Sequence, residues 1–125
     1  MTNKLPLVYV AGPITIPDPI WNTHIATNVA DRLYASKLCV PLIPHYNLMW
    51  HLICPHDTEY WYEYDMHILH RCDALLRIPG ESVGAEAEIL QANEWGIPVC
   101  YSEHELYTWC RQRDIILSHY TDEGD

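Results

Sequence analysis

Glu88 is the residue whose surroundings most invite a chemical reading. It lies in the segment PGESVGAEAEILQANEWGIPV, which runs from Pro79 to Val99. Ser82 and Gly84 open a helix there, so the first backbone N–H groups point outward and form an anion site. A carboxylate about one turn further in, beside Ala85 and Ala92, is placed for nucleophilic or acid–base work if it faces a cleft. The spacing also fits plain solvated charges, because Glu86, Glu88 and Glu94 sit on one helix and early acidic residues complement its dipole. Spacing alone favours the solvated reading, since most helix charges are simply exposed.

Histidines form a second constellation. His45, His51, His56, His67 and His70 are interspersed with Cys54 and Cys72. His67 and His70 fall on neighbouring faces of one helix, but no standard zinc spacing is present, and HEXXH is missing. The expectation is therefore no bound metal; imidazoles over a cleft serve phosphate or base binding instead. Trp21, Tyr46, Trp50 and Trp61 can wall a base-stacking pocket or pack as ordinary aromatics. The P-loop, GxGxxG and GxSxG patterns do not occur.

Composition narrows the partners. The chain has 125 residues, with 17 acidic against 7 basic side chains and a formal charge of −10. Such a surface repels nucleic-acid polymers and anionic membranes, so a small molecule is the expected partner. No stretch approaches the roughly 20 apolar residues of a membrane span, and the first residues lack a signal-peptide pattern. Five cysteines, mostly inside apolar runs, suit reduced, buried thiols in a cytoplasmic protein. Nine Tyr and five Trp against no Phe put a polar handle on nearly every ring.

The elements that must position these groups alternate. Leu5 to Ala11 reads as a buried strand stopped by Gly12 and Pro13. A proline-rich loop leads to a helix capped by Asn22 or Thr23, with Ile25, Val29 and Leu33 as its stripe. Leu38 to Ile43 is a second strand, at an edge because Pro41 cannot donate to a ladder. A short helix covers Asn47 to Ile53, and a longer one Thr58 to Arg71, with Trp61, Asp65, Ile68 and Leu69 near one side. Asp73 to Ile78 is a third strand, with Asp73 a structural hydrogen-bonding residue. Val83 to Trp95 is a helix that ends at Gly96, and Ile97 to Tyr101 is a fourth strand. A last helix opens at Ser102 and runs to about Arg113, and the acidic tail Thr121 to Asp125 frays. This order predicts a single α/β domain over 1–125, a flavodoxin/Rossmann-like parallel sheet of four to five strands flanked by helices. Ligands of such sheets bind beyond the carboxyl ends of the strands, where the loops after the first three strands converge.

The Gly84-x-x-x-Glu88 segment, with Ala92 and Gly96-x-Pro98-Val99, resembles the signature of the nucleoside 2-deoxyribosyltransferase-like superfamily. That group includes nucleoside 5'-monophosphate N-glycosidases and small phage-type members. Tyr9-Val10-Ala11-Gly12 is similar to its opening strand, and Asp65, eight residues before Asp73 in Cys72-Asp73, matches its aspartate. The resemblance implies that Glu88 attacks the anomeric carbon of a sugar, that Asp65 supplies or relays a proton, and that Tyr9 tunes Glu88. It further implies a phosphate contact at Ser82 and a homodimer or larger homo-oligomer; with Gly12, Pro13, Gly84, His45 and Trp61 around the same cleft, these are the expected substrate contacts, and no cofactor is expected. The deoxyribosyltransferases carry an aspartate where this chain has Ser82. A serine resembles the monophosphate N-glycosidases, so the expected substrate is a (deoxy)nucleoside 5'-monophosphate whose base is released to water. The alternatives are base exchange by a deoxyribosyltransferase and a nucleotide-binding module without turnover. Pro79-Gly80 and Glu88 also echo the phosphoribohydrolase PGG-GT-x-x-E loop, but its second glycine and its threonine are missing.

Overall fold

A computed structural model describes residues 4–124, with side chains to 119. Four strands form an all-parallel sheet in the order β2-β1-β3-β4: β1 is Leu7–Ala11, β2 Val40–Leu42, β3 Ala74–Arg77 and β4 Val99–Cys100. The helices are α1 (Pro19–Ala35), α2 (Asn47–Ile53), α3 (Thr58–Leu69), α4 (Val83–Glu94) and α5 (Glu103–Gly124), with a 3-10 turn at Pro44–Tyr46. This is the expected flavodoxin/Rossmann-like α/β architecture, with β2 at the edge where Pro41 needs no ladder donor. The strands are shorter than their apolar runs because residues such as Leu5 and Leu38 lie outside the paired register.

Alternation along β1 sorts the core into two layers. Val8 and Val10 face α1 and α5, packing with Ala26, Val29, Leu33, Leu106 and Cys110. Tyr9 and Ala11 face the other way, toward Leu69 of α3 and Ala85, Ile89 and Ala92 of α4. Tyr9 and the helices that carry Asp65 and Glu88 lie on this second face.

Two helix boundaries depart from the sequence reading. Asp18, not Asn22 or Thr23, caps α1: its carboxylate accepts from the N–H of Ile20 at 2.9 Å and of Trp21 at 3.3 Å, with Pro19 first in the helix. Asn22 is instead buried and donates to the carbonyls of Ile14 and Ile16, which ties down the proline-rich loop. At the other end, α5 continues past Arg113 to Gly124, since nothing between breaks it, even though Ile115 and Ile116 are exposed. The expected fraying of Thr121–Asp125 lies outside the residues whose side chains are described. Ser102 opens α5 as expected, accepting from the N–H of Glu105. Gly96, at φ 73°, ends the turn after α4 in the left-handed conformation the sequence called for.

The strand order places β1 between β2 and β3, so the chain leaves β1 to one side and later returns on the other. This is the switch point where α/β sheets bind ligands. Two glycines let the loops there close up. A Cβ on Gly12 would stand 2.9 Å from Ile78 Cβ, and one on Gly80, at φ 126°, would stand 2.7 Å from Pro13 Cγ. The loops after β1 and β3 are thus packed against each other.

Candidate active site

Tyr9, Asp65 and Glu88 come together on the α3–α4 side of the sheet. Tyr9 reaches up from β1 and its hydroxyl donates to Oε2 of Glu88 in a short, buried hydrogen bond. Glu88 is held there because Ala85, Ile89 and Ala92 of α4 pack onto the sheet. Asp65 stands on α3, four residues before the buried Leu69, and its Oδ1 accepts from Asn47 Nδ2 at 2.7 Å. The relative exposures are 6% for Glu88 and 7% for Asp65, so neither is a solvated helix charge. Nor does Asp65 pair with Arg71, whose guanidinium donates to the His67 carbonyl.

Each carboxylate has one oxygen tied and one open. Among the described residues no hydrogen bond reaches Glu88 Oε1 or Asp65 Oδ2, and His45 Nδ1 is the only fully buried side-chain polar atom without a partner. The two free oxygens therefore keep an edge that a small molecule or water can touch.

Burial dominates the electrostatics. It pushes the Glu88 carboxyl up to about 7; the Tyr9 hydrogen bond pulls the other way, the Asp65 charge adds to the rise, and Arg77 opposes it. Burial likewise pushes Asp65 up to about 6 against the Asn47 hydrogen bond. The Tyr9 phenol is raised well above its ordinary value by burial and then by the Glu88 and Asp65 charges, so it remains a donor. Two interacting carboxyls titrate as a pair, so a proton held near neutral pH belongs to the pair and not to either residue. One acid and one base in the same site is what proton transfer with nucleophilic attack requires.

The remaining expected site residues fall into three places. Ser82 caps α4, its hydroxyl oxygen accepting from the Ala85 N–H at 3.0 Å and leaving the hydroxyl proton free to donate. Gly84 opens onto space: a Cβ there would meet nothing nearer than Ser82 Oγ at 4.0 Å. An open depression of about 540 Å³ lies at this helix start, lined by Arg77, Gly80, Glu81, Ser82, Val83 and Glu86. Gly12, Pro13 and His45 lie around the exit of β1. His45 is 1% exposed and its Nε2–H donates to the Pro13 carbonyl at 2.9 Å, so Nδ1 is the bare nitrogen and burial lowers the ring's pKa. Trp61 is half-buried one turn before Asp65, on the same face of α3.

Trp61 belongs to an aromatic cluster that takes in two of the five histidines, His51 and His56. Trp50 meets Trp61 and Tyr64 edge-on, each at 5.0 Å, while His56 stacks on Tyr60 at 3.7 Å. His51 Nδ1 accepts from Trp61 Nε1 at 2.9 Å and from the His56 N–H at 3.2 Å, which occupies that nitrogen as a ligand atom. His70 lies apart, against Trp95. Among the described residues, no group of three or more His, Cys, Asp or Glu side chains is arranged to hold a metal.

No protein-family model and no curated protein matches the chain. The site must therefore be judged on its own geometry.

Two participants escaped the sequence reading. Arg77 ends β3, is 8% exposed, and donates to the carbonyls of Ile78 and Gly80 and to Glu86 Oε1. It shapes the loop into α4 and sets a positive charge near Glu88. A lone arginine closing an apolar strand was the available signal. Asn47 had a weaker one, being an amide at the start of a short helix in a segment without clear periodicity.

Proposed function

We propose that this protein cleaves the N-glycosidic bond of a (deoxy)nucleoside 5'-monophosphate, with Glu88 as nucleophile and Asp65 as proton donor and acceptor. The observation that carries this reading is the buried carboxyl pair, each member with one oxygen tied and one open. Oε1 of Glu88 attacks C1' as the bond from C1' to the base nitrogen breaks, and the departing base takes the Asp65 proton. Asp65 then removes a proton from water, the hydroxide displaces Glu88 from C1', and the sugar phosphate leaves. The oxocarbenium character that develops at C1' is stabilised by the carboxylate beside it, and the Tyr9 hydroxyl holds that carboxylate in place.

Support for a monophosphate comes from the start of α4. Ser82 and Val83 at the helix start line the depression together with Arg77. Glu81 and Glu86 line it too; Glu86 is already neutralised by Arg77 at 3.0 Å. Trp61, one turn from Asp65, is suited to stack on the base. The same chemistry with a second base in place of water is the deoxyribosyl transfer reaction. The protein acts as a homodimer or larger homo-oligomer, a reading supported by the exposed Met49, Leu52 and Ile53 of α2, a helix with no buried residue.

A chromatographic screen of nucleosides and nucleoside 5'-monophosphates tests this proposal. Free base should appear from monophosphates faster than from nucleosides, and adding a second base should leave the product a free sugar phosphate. If no nucleotide or nucleoside releases base, the proposal fails.

A further inference from the structure

Tyr9 and Asn47 perform matching tasks. Each donates to one oxygen of a buried carboxyl and leaves the other open, Tyr9 at Glu88 and Asn47 at Asp65. We infer that Asn47 is the positioning residue that decides which oxygen of Asp65 carries its proton. With the amide N–H donating to Oδ1, a proton sits more easily on Oδ2, because a hydrogen on Oδ1 would require Asn47 to turn its carbonyl toward it. Oδ2 is the oxygen with no partner and an accessible edge. Within the glycosidic reading, on which this step rests, the hydrogen offered to the departing base is then aimed by a residue that never touches the substrate.

The rest of α2 is built to hold Asn47 in register. Asn47, Trp50 and His51 stand at i, i+3 and i+4, one face of the helix. All three engage α3: Asn47 bonds Asp65, Trp50 packs edge-on against Tyr60, Trp61 and Tyr64, and His51 accepts from Trp61 Nε1. This helix buries no residue of its own, so these contacts, more than any apolar core, fix where the amide points. The charged and titratable groups facing Asp65 from other elements are Tyr9 on β1 and Glu88 on α4, and both sense its charge.

Two variants test the assignment. Asn47→Leu removes the donor while keeping the branching and number of side-chain heavy atoms, and Asn47→Gln keeps an amide; both residues are good helix formers, so α2 should persist. The Asp65 carboxyl is followed by carboxyl-carbon NMR across the pH range, with base release measured in parallel. A donor that favours the ionised form is lost in Asn47→Leu, so Asp65 should titrate about one pH unit higher, the size expected for a hydrogen bond to a charged group. Base release should fall about tenfold in kcat with KM nearly unchanged, because proton transfer is impaired and binding is not. Asn47→Gln should recover part of both. An Asp65 titration that does not move in Asn47→Leu overturns the assignment, whatever the activity. A wild-type protein that releases no base overturns the glycosidic reading instead, and the titration still decides the role of Asn47.

Discussion

Replacing Glu88 by Gln should change the pH dependence of stability in a way that follows from its burial. A carboxyl that titrates at 4.5 in the unfolded chain and about 7 in the fold disfavours the folded state once ionised. Its contribution is most favourable below 4.5, declines as pH rises, and levels off above about 7, where the loss amounts to about 3 kcal/mol. Gln cannot ionise, so Glu88→Gln removes this slope. Any fixed cost of burying an amide is the same at every pH and cancels when two pH values are compared. Between about pH 5.5 and about pH 8.5, the stability of Glu88→Gln relative to wild type should therefore rise by roughly 2 kcal/mol. The burial of Asp65 is present in both proteins, and its coupling to Glu88 is counted once, within the Glu88 rise that the substitution removes. Urea unfolding followed by tryptophan fluorescence at the two pH values measures the difference. A relative stability that stays flat, or that falls with pH, refutes the claim that this carboxyl is buried with its charge disfavoured.

Other substitutions have separable outcomes. Tyr9→Phe keeps the buried ring and loses the donor to Glu88, so the acid limb of the base-release profile should move to higher pH and the rate should drop about 10-fold or more; an unchanged profile would remove Tyr9 from the site. Ser82→Ala should cost about 1 kcal/mol in thermal or urea unfolding through the lost cap, and should raise KM for monophosphates more than for nucleosides; equal effects on both substrates would move the phosphate elsewhere. Gly80→Ala should destabilise the protein by about 1–3 kcal/mol, since Gly80 has φ 126° and the new Cβ would meet Pro13; a neutral result in urea unfolding would contradict the packing of these two loops.

Periodicity made the alternating order of strands and helices legible, as well as the edge position of β2. Buried apolar runs separated by Gly and Pro leave few other arrangements. It did not disclose where α1 begins, because Asp18-Pro19 is a better cap and first residue than Asn22, and the proline-rich loop hid that pair. Nor did it limit α5, whose continuation past Arg113 involves exposed residues with no strong pattern. Among the site residues, Tyr9 and Asp65 stood out in the sequence only through resemblance, whereas Glu88 was a candidate from its helix alone. The spacing of Glu88 alone fitted a solvated charge, and it takes the packing of Ala85 and Ile89 on the sheet to bring it inside. Asn47 was hidden for the opposite reason: its role depends on a contact with Asp65, 18 residues away, across two helices. The histidine-rich stretch resolved into aromatic packing and hydrogen bonds, which composition cannot distinguish from a ligand set.

Mass spectrometry of acid-quenched mixtures of the protein with a nucleoside 5'-monophosphate tests the central claim most directly. The peptide containing Glu88 should carry the mass of a sugar phosphate, and base release should vanish in Glu88→Gln. A sugar phosphate found on a different residue, or base release that persists in Glu88→Gln, would contradict it.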